Sequence, residues 1–188
     1  NSCPITLANM DDSMSNDTEA VNMAQANLEV ITKANTTLKR AVNAKIKLAE
    51  TKANFNPYDT TIEKPLLAAL EDTKLANRER FHILALLGRV FMARKDFALA
   101  KKYYDRARDL IGSASNASER IEFRMAYLNF ELASQRLDSA QISAKVDAAY
   151  SILDDAQKNV HKDNIVDADQ VLRAIRLVAA AHAQAYRI

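Results

Sequence analysis

Apolar residues recur along most of the chain at intervals of three and four, which is the spacing of one face of an α-helix. The first such seam consists of Val21, Ala24, Leu28, Ile31, Asn35, Leu38 and Val42. It is sustained to about Ala53, and Pro57 ends it because proline cannot continue a helix and biases Asn56 away from α geometry. We therefore expect a long first helix that ends before the segment 54–61.

The same spacing predicts six further helices. Thr60 and Glu63 have the separation of a capping box, so we expect a second helix that runs to about Asn77. The other five are expected at about 78–93, 96–112, 117–137, 142–160 and 165–188. Gly112 is expected to close the fourth helix as a left-handed C-cap, and Asn116 with Glu119 to cap the next one.

Two of these helices have informative apolar patterns. The helix at 117–137 is apolar on two faces, as expected for a helix packed from both sides. One face carries Ile121, Met125, Leu128 and Leu132, and the other carries Phe123, Phe130 and Leu137. The last helix has a stripe at Ile165, Ala168, Leu172, Ile175 and Ala179. Because the connections are mostly short, the helices form either a bundle or a stack of antiparallel hairpins.

One of the two glycines, Gly88, lies inside an apolar run of the third helix. A glycine in a helix costs about 1 kcal/mol relative to alanine, so a close helix contact is the expected compensation. Ala100 and Ala107 would remove side-chain bulk from the helix that follows. Large side chains would then fill the flanks of this contact: Leu84, Leu87, Phe91, Phe97 and Tyr104.

The order of these residues resembles the tetratricopeptide repeat. The spacing is Leu84-x2-Leu87-Gly88-x2-Phe91 followed by Ala100-x3-Tyr104-x2-Ala107, and one unit covers 81–114. Leu84 replaces the usual tryptophan, and Gly112 stands where the closing proline would fall. A second unit is degenerate: Ala149-x3-Leu153-x2-Ala156 matches a second helix, but the helix before it has no Leu-Gly pair.

The resemblance implies an all-α fold, a short irregular α-solenoid of about seven helices in stacked hairpins. Members of the family bind partners in a concave groove lined by the first helix of each hairpin. On the matching unit, this groove would include His82, Ala85, Arg89, Met92 and Ala93, with Arg89 as the anchor for an acidic or carboxylate group. Alanine at 85 and 93 departs from the Lys/Asn-rich clamp of chaperone-binding members, which disfavours recognition of a chaperone C-terminus.

Composition agrees with a helical fold, since 188 residues contain 2 Gly, 3 Pro and no Trp. Residues 1–17 are polar and aperiodic, and we expect a flexible lead there and a single domain over 18–188. Because the chain begins with Asn1, we expect that a preceding segment was removed. Both a cytoplasmic and an exported location stay open. No run of about 18 apolar residues predicts a membrane span.

Candidate chemistry is sparse. His82, His161 and His182 have no metal-site spacing and Cys3 is far from them, so we expect no metal and no other cofactor. Asp163 and Asp167 could suggest paired carboxylates for acid–base chemistry or a cation site. We expect instead that they are favourable charges at the start of a helix. Because the chain also has no phosphate-binding glycine loop and no nucleophile motif, we predict that it is not an enzyme.

The net charge is +2, but charge is unevenly distributed. Between Lys74 and Arg108, ten basic residues oppose three acidic ones, which gives about +7. Either these charges are ordinary solvated helix faces or they attract an acidic partner. A nucleic-acid partner is disfavoured because aromatic stacking platforms are missing.

The resulting hypothesis is a scaffold that binds a peptide or helix of another protein, such as an acidic segment, in a helical groove. The alternative is a structural subunit that forms a homo-oligomer through its long first helix. Asn35 and Lys45 would lie on the seam of that helix, and polar seam residues can fix the register of a coiled coil.

Overall fold

The computed structural model describes residues 33, 36–135, 137–163 and 168–185. All regular secondary structure in these residues is helical, which confirms the all-α prediction. In chain order the helices are α1 (36–55), α2 (Glu63–Leu70), α3 (Asn77–Ala93), α4 (Phe97–Arg108), α5 (Ile111–Ala114), α6 (Ala117–Ser134), α7 (Ser139–Asp163) and α8 (Ala168–Ala185).

Seven helices in these ranges have eight or more residues, and α5 is a single turn. Helices that are adjacent in sequence pack against each other, most extensively α3 with α4 and α7 with α8. Helix α6 packs against α7 and also contacts α4 and α8. This pairwise packing is consistent with the predicted hairpin stack.

The chain divides into two units, one ending at Asn43 and one beginning at Ala44. In the first unit, Val42 is buried; in the second, α1 buries Ile46 and Ala49. Lys45 is exposed, so its predicted place on the buried seam is wrong. Asn35 and the lead at 1–17 lie outside the described residues.

Helix α2 ends at Leu70 and not near Asn77. The guanidinium of Arg80 donates hydrogen bonds to the carbonyl oxygens of Leu70, Asp72 and Leu75, at 3.1, 2.5 and 3.0 Å. These bonds satisfy carbonyls in a turn that separates α2 from α3. The capping box predicted at Thr60 is also wrong, because Ile62 precedes the first helical residue and its side chain forms no capping bond.

The prediction of a left-handed C-cap at Gly112 is wrong. Helix α4 ends earlier, at Arg108, and Gly112 lies inside α5, where it has no positive φ. A turn at 109–110 followed by one more helical turn replaces the expected stop. By contrast, the capping box at the start of α6 is confirmed: each backbone N–H of Asn116 and Glu119 donates to the other side chain at 2.8 Å.

The predicted close contact at Gly88 is confirmed. A β-carbon added to Gly88 would lie 2.6 Å from Cδ1 of Tyr104, which is closer than carbon atoms can pack. Tyr104 cannot yield easily because it is 1% exposed and its ring lies among Phe123, Tyr127 and Phe130, with centroids 5.6–6.0 Å away. Ala100 and Ala107 are fully buried in α4.

Helix α6 is packed from both sides, as its two apolar faces predict. Phe123 contacts Phe81 of α3 and Tyr104 of α4. The opposite face joins a core with α7 and α8. That core contains Ile121, Met125, Leu128, Leu132, Ala149, Ile152, Ala156, Ala174, Leu177, Val178 and Ala181. The residues that α8 contributes to this core are not those of the apolar stripe predicted from the sequence, so α8 buries a different face from the predicted one.

Replacement of Gly88 by alanine tests the close contact. We expect Gly88→Ala to lower the free energy of unfolding by about 1–2 kcal/mol, because the overpacking cost exceeds the gain in helix propensity. Urea denaturation measures the change. Gly112→Ala is the matched control: no atom lies within 4 Å of the added carbon, so we expect unchanged or slightly raised stability. Equal stabilisation by both substitutions would contradict the close contact.

Candidate functional site

A groove lies between α3, α6 and α8. It consists of two adjoining depressions of about 250 and 480 Å³. Both are lined by Arg89 of α3, Tyr104 of α4, and Glu122 and Ala126 of α6. Because these four residues are shared, the two depressions are continuous.

Polar contacts place the first turns of the three helices together. Nη2 of Arg78 lies 2.7 Å from Oε1 of Glu119, which joins α3 to α6. The Ser118 hydroxyl donates to Oε1 of Gln170 at 2.9 Å, which joins α6 to α8. The three helices therefore begin at the same end of the groove, and successive turns of each one contribute lining residues along it.

Four of the five residues predicted for the site line this groove. His82, Ala85 and Arg89 line the smaller depression, and Arg89 with Met92 lines the larger one. Ala93, the last residue of α3, is exposed and lines neither depression.

Sequence reasoning missed the residues that α6 and α8 contribute. The principal ones are Glu122, Ala126, Asn129, Arg173 and Arg176. Their helical spacing is visible in the sequence, but α6 has no Leu-Gly pair to identify it as the first helix of a hairpin. Only packing against α3 shows that these stripes face the same groove.

The end of the groove where the helices begin is electrostatically neutralised. Glu119 contacts Arg78 and lies 3.2 Å from Nε2 of His82. Burial raises the pKa of Glu119. The hydrogen bond to the Asn116 backbone and the charges of Arg78 and His82 lower this pKa by more than burial raises it, so the net shift is downward. Glu119 is therefore ionised at neutral pH, and its carboxylate is already paired with residues of its own chain.

The other end of the groove has an excess of positive charge. Arg173 is paired, 2.7 Å from Glu122 and 2.9 Å from Asp169. Arg89 has a longer ion pair, 3.9 Å from Glu50, and both side chains are about half exposed. Arg176 has no ion-pair or hydrogen-bond partner among the described residues.

The floor beside these arginines is apolar. Met92, Met125, Leu177 and Ala180 line the larger depression together with the arginines. The buried Tyr104 also contributes, and burial raises its pKa to about 12 despite the opposing effect of Arg89. Because its hydroxyl stays neutral, the floor adds no negative charge.

Much of the basic segment at 74–108 is neutralised internally. Arg94 contacts Glu63 and donates to the carbonyl oxygens of Pro57 and Asp59 at 2.6 and 3.2 Å, so it holds the α1–α2 connection. Arg78 is likewise paired with Glu119, which lies outside the segment. The segment is therefore less positive than its composition indicates, and Arg89 is its groove-facing cation with the weakest pairing.

Within the described part of the chain, no three His, Cys, Asp or Glu side chains are grouped so that they could hold a metal ion. His182 contacts Tyr150, whose hydroxyl lies 3.2 Å from its Nε2. The side chain of His161 lies outside the described residues. Among helices in the described ranges, none combines the length and apolarity needed to cross a bilayer.

No protein-family model, curated protein or solved structure matches the chain. The resemblance of residues 81–114 to a tetratricopeptide unit therefore stays a prediction.

The depressed pKa of Glu119 predicts a pH-dependent effect. We expect Glu119→Gln to lower the free energy of unfolding at pH 7 by about 1 kcal/mol, because its ion pairs and cap bond are weakened. A carboxylate with a lowered pKa stabilises the folded state above its usual pKa of 4.5, and this contribution is lost as the pH falls through the folded-state value. The difference from wild type should therefore shrink below pH 4.5.

Thermal or urea unfolding between pH 7 and pH 3 measures this effect. The matched control is Glu71→Gln at an exposed position after α2, which should leave stability unchanged. A stability difference for Glu119→Gln that is independent of pH would contradict the proposed role of the ionised carboxylate.

Proposed function

We propose that the protein is a non-enzymatic protein–protein interaction scaffold that binds a peptide or helix of another protein in the groove between α3, α6 and α8. One observation carries this proposal: the groove is a continuous, largely apolar surface with the weakly paired Arg89 and Arg176 in its larger depression. Such a surface fits a partner segment with an acidic side chain next to an apolar one.

The packing of α3 against α4 supports a tetratricopeptide-like unit at 81–114. Gly88 fits against Tyr104, and Ala100 and Ala107 are buried, as the repeat pattern requires. On this interpretation α3, α6 and α8 are the first helices of successive hairpins, and α4 and α7 are second helices. The groove would then correspond to the partner-binding face of the family.

The side chains in the groove suit peptide recognition. An arginine guanidinium can bind a carboxylate through two parallel hydrogen bonds, which gives both strength and geometric selectivity. Met92 and Met125 are flexible and polarisable, so they can adapt to partner side chains of different shape. Glu122 and Glu119 are held in ion pairs between helices, which favours a structural role for them over acid–base chemistry.

A peptide-display selection on the immobilised protein identifies a ligand of this class. We expect the selected peptides to contain Asp or Glu within a few residues of a large apolar side chain. Selection of peptides rich in Lys and Arg, or the absence of any enriched peptide, would contradict the proposed groove chemistry.

A charge reversal then tests the anchor. We expect Arg89→Glu to weaken binding of a selected acidic peptide at least about tenfold, because it replaces an attractive charge by a repulsive one. The melting temperature should change little, since Arg89 is about half exposed. Fluorescence anisotropy measures the affinity, and circular dichroism measures the melting temperature.

The matched control is Arg106→Glu on the exposed side of α4, which makes the same charge change away from the groove. An equal loss of affinity in both variants would indicate a nonspecific charge effect. Loss of stability together with affinity in Arg89→Glu would make Arg89 a structural residue.

A second candidate is self-association through the first helix. Leu48 of α1 is 58% exposed, whereas Ile46 in the same unit is buried. An exposed leucine on a long helix is compatible with a helix–helix contact between copies. Comparison of the solution mass with and without residues 1–53 tests this candidate, and a monomer in both cases would exclude it.

A further inference from the structure

Helix α8 is apolar on two opposite faces. The face that packs on α6 and α7 contains Ala174, Leu177, Val178 and Ala181. The opposite face contains Ala168, Leu172, Ile175 and Ala179, all exposed, with Leu172 44% and Ile175 47% accessible. At about 100° per residue, the centres of these faces lie roughly 140° apart around the helix. We call the second set the outer stripe.

Helix α6 shows what such a pattern means in this protein. It also has two apolar faces, and both are covered, one by α3 and α4 and the other by α7 and α8. In the described part of the chain, only one face of α8 is covered. Two adjacent large aliphatic side chains at nearly half their full exposure favour an additional contact.

We propose that the outer stripe of α8 binds the same stripe of a second copy of this chain, with the two helices antiparallel about a twofold axis. An interface of this symmetry uses the same surface of both copies. Each contact between a residue of the first copy and a residue of the second therefore occurs twice, with the copies exchanged, so the surface must be complementary to itself. The proposal concerns a surface separate from the first helix and does not depend on the binding function of the groove.

The order of side-chain sizes along the stripe meets this requirement. It reads small, large, large, small at 168, 172, 175 and 179, which is the same in both directions. Antiparallel packing therefore places Leu172 against Ile175 of the second copy and Ala168 against its Ala179. The alanines let the helix ends approach while the large residues fill the centre.

The charges beside the stripe favour the same arrangement. Asp169 and Arg176 lie on one flank, seven residues apart, which is two helical turns. In an antiparallel pair the same flanks of the two helices meet, so Arg176 of each copy faces Asp169 of the other. Arg176 has no partner within the described residues, and this pairing would supply one.

Tyr150 of α7 extends the apolar surface on the other flank. It is 50% exposed, and its ring makes an edge contact with His182, with centroids 5.7 Å apart. The patch consists of five side chains, whereas a stable dimer interface of standard size contains about 20–30 residues per partner. We therefore expect a concentration-dependent dimer with a Kd between about 10 μM and about 300 μM.

Sedimentation equilibrium between about 1 μM and 1 mM tests the dimer. Wild type should shift from monomer to dimer over this range. Leu172→Glu with Ile175→Glu should raise the apparent Kd at least about tenfold, because symmetry brings the introduced charges together at the centre. Circular dichroism should show an unchanged helix content, since both positions are exposed. A wild type that stays monomeric throughout would overturn the proposal.

Leu48→Glu is the matched control, because it places the same charge on an exposed leucine of α1. It should leave the dimer intact. If Leu48→Glu abolishes the dimer and the α8 variant does not, association uses the first helix and the α8 proposal is wrong.

Disulfide trapping tests the antiparallel orientation. In a Cys3→Ser background, a mixture of Ala168→Cys and Ala179→Cys chains should form a mixed disulfide. Ala168→Cys alone should not crosslink efficiently. In the proposed pair, Ala168 of one copy lies opposite Ala179 of the other, so the two Ala168 residues are 11 positions apart along the helix axis, about 16 Å. A disulfide requires Cα atoms within about 7 Å. Efficient crosslinking of Ala168→Cys alone, without the mixed product, would indicate a parallel pair and overturn the proposed symmetry.

Discussion

The contact between Gly88 and Tyr104 is the constraint on which the described helical packing depends. Because Gly88 has no side chain, the Tyr104 ring can lie directly against the backbone of α3. The same ring packs against Phe123, Tyr127 and Phe130, so it joins the α3–α4 pair to α6. Tyr104 also lines both parts of the groove. One small residue thus determines both the helix separation and the groove floor.

Polar contacts then determine how charge is distributed along the groove. Arg78 with Glu119 joins α3 to α6 in their first turns, and Arg173 with Glu122 joins α8 to α6 one turn further along, so both acidic residues are neutralised. Among the described residues, Arg89 in the larger depression has one long ion pair and Arg176 has none. Contacts that hold the helices together therefore leave positive charge in the larger depression, which is the feature on which the proposed binding function depends.

Arg176 links the two proposed surfaces. It lines the groove and also borders the outer stripe of α8. An Arg176 side chain that pairs with Asp169 of a second copy contributes less positive charge to the groove, because opposite charges at short range offset each other. Arg89, on the opposite wall and away from the stripe, is then the main cation for an acidic segment. Self-association and partner binding are consequently expected to influence each other.

The sequence by itself determined the helical character of the described chain, the close contact at Gly88 and the capping box at Asn116. It also indicated that His82, Ala85, Arg89 and Met92 lie along one side of α3. These features depend on local spacing and on residue size, which are readable without the fold. It did not determine where α2 and α4 end, because distant or irregular contacts such as those of Arg80 decide these boundaries. Nor did it show which apolar face of α8 is buried, or that α6 and α8 complete the groove, because both depend on which helices lie side by side. Helical periodicity identifies a face that can be buried, and only tertiary packing decides which face is covered.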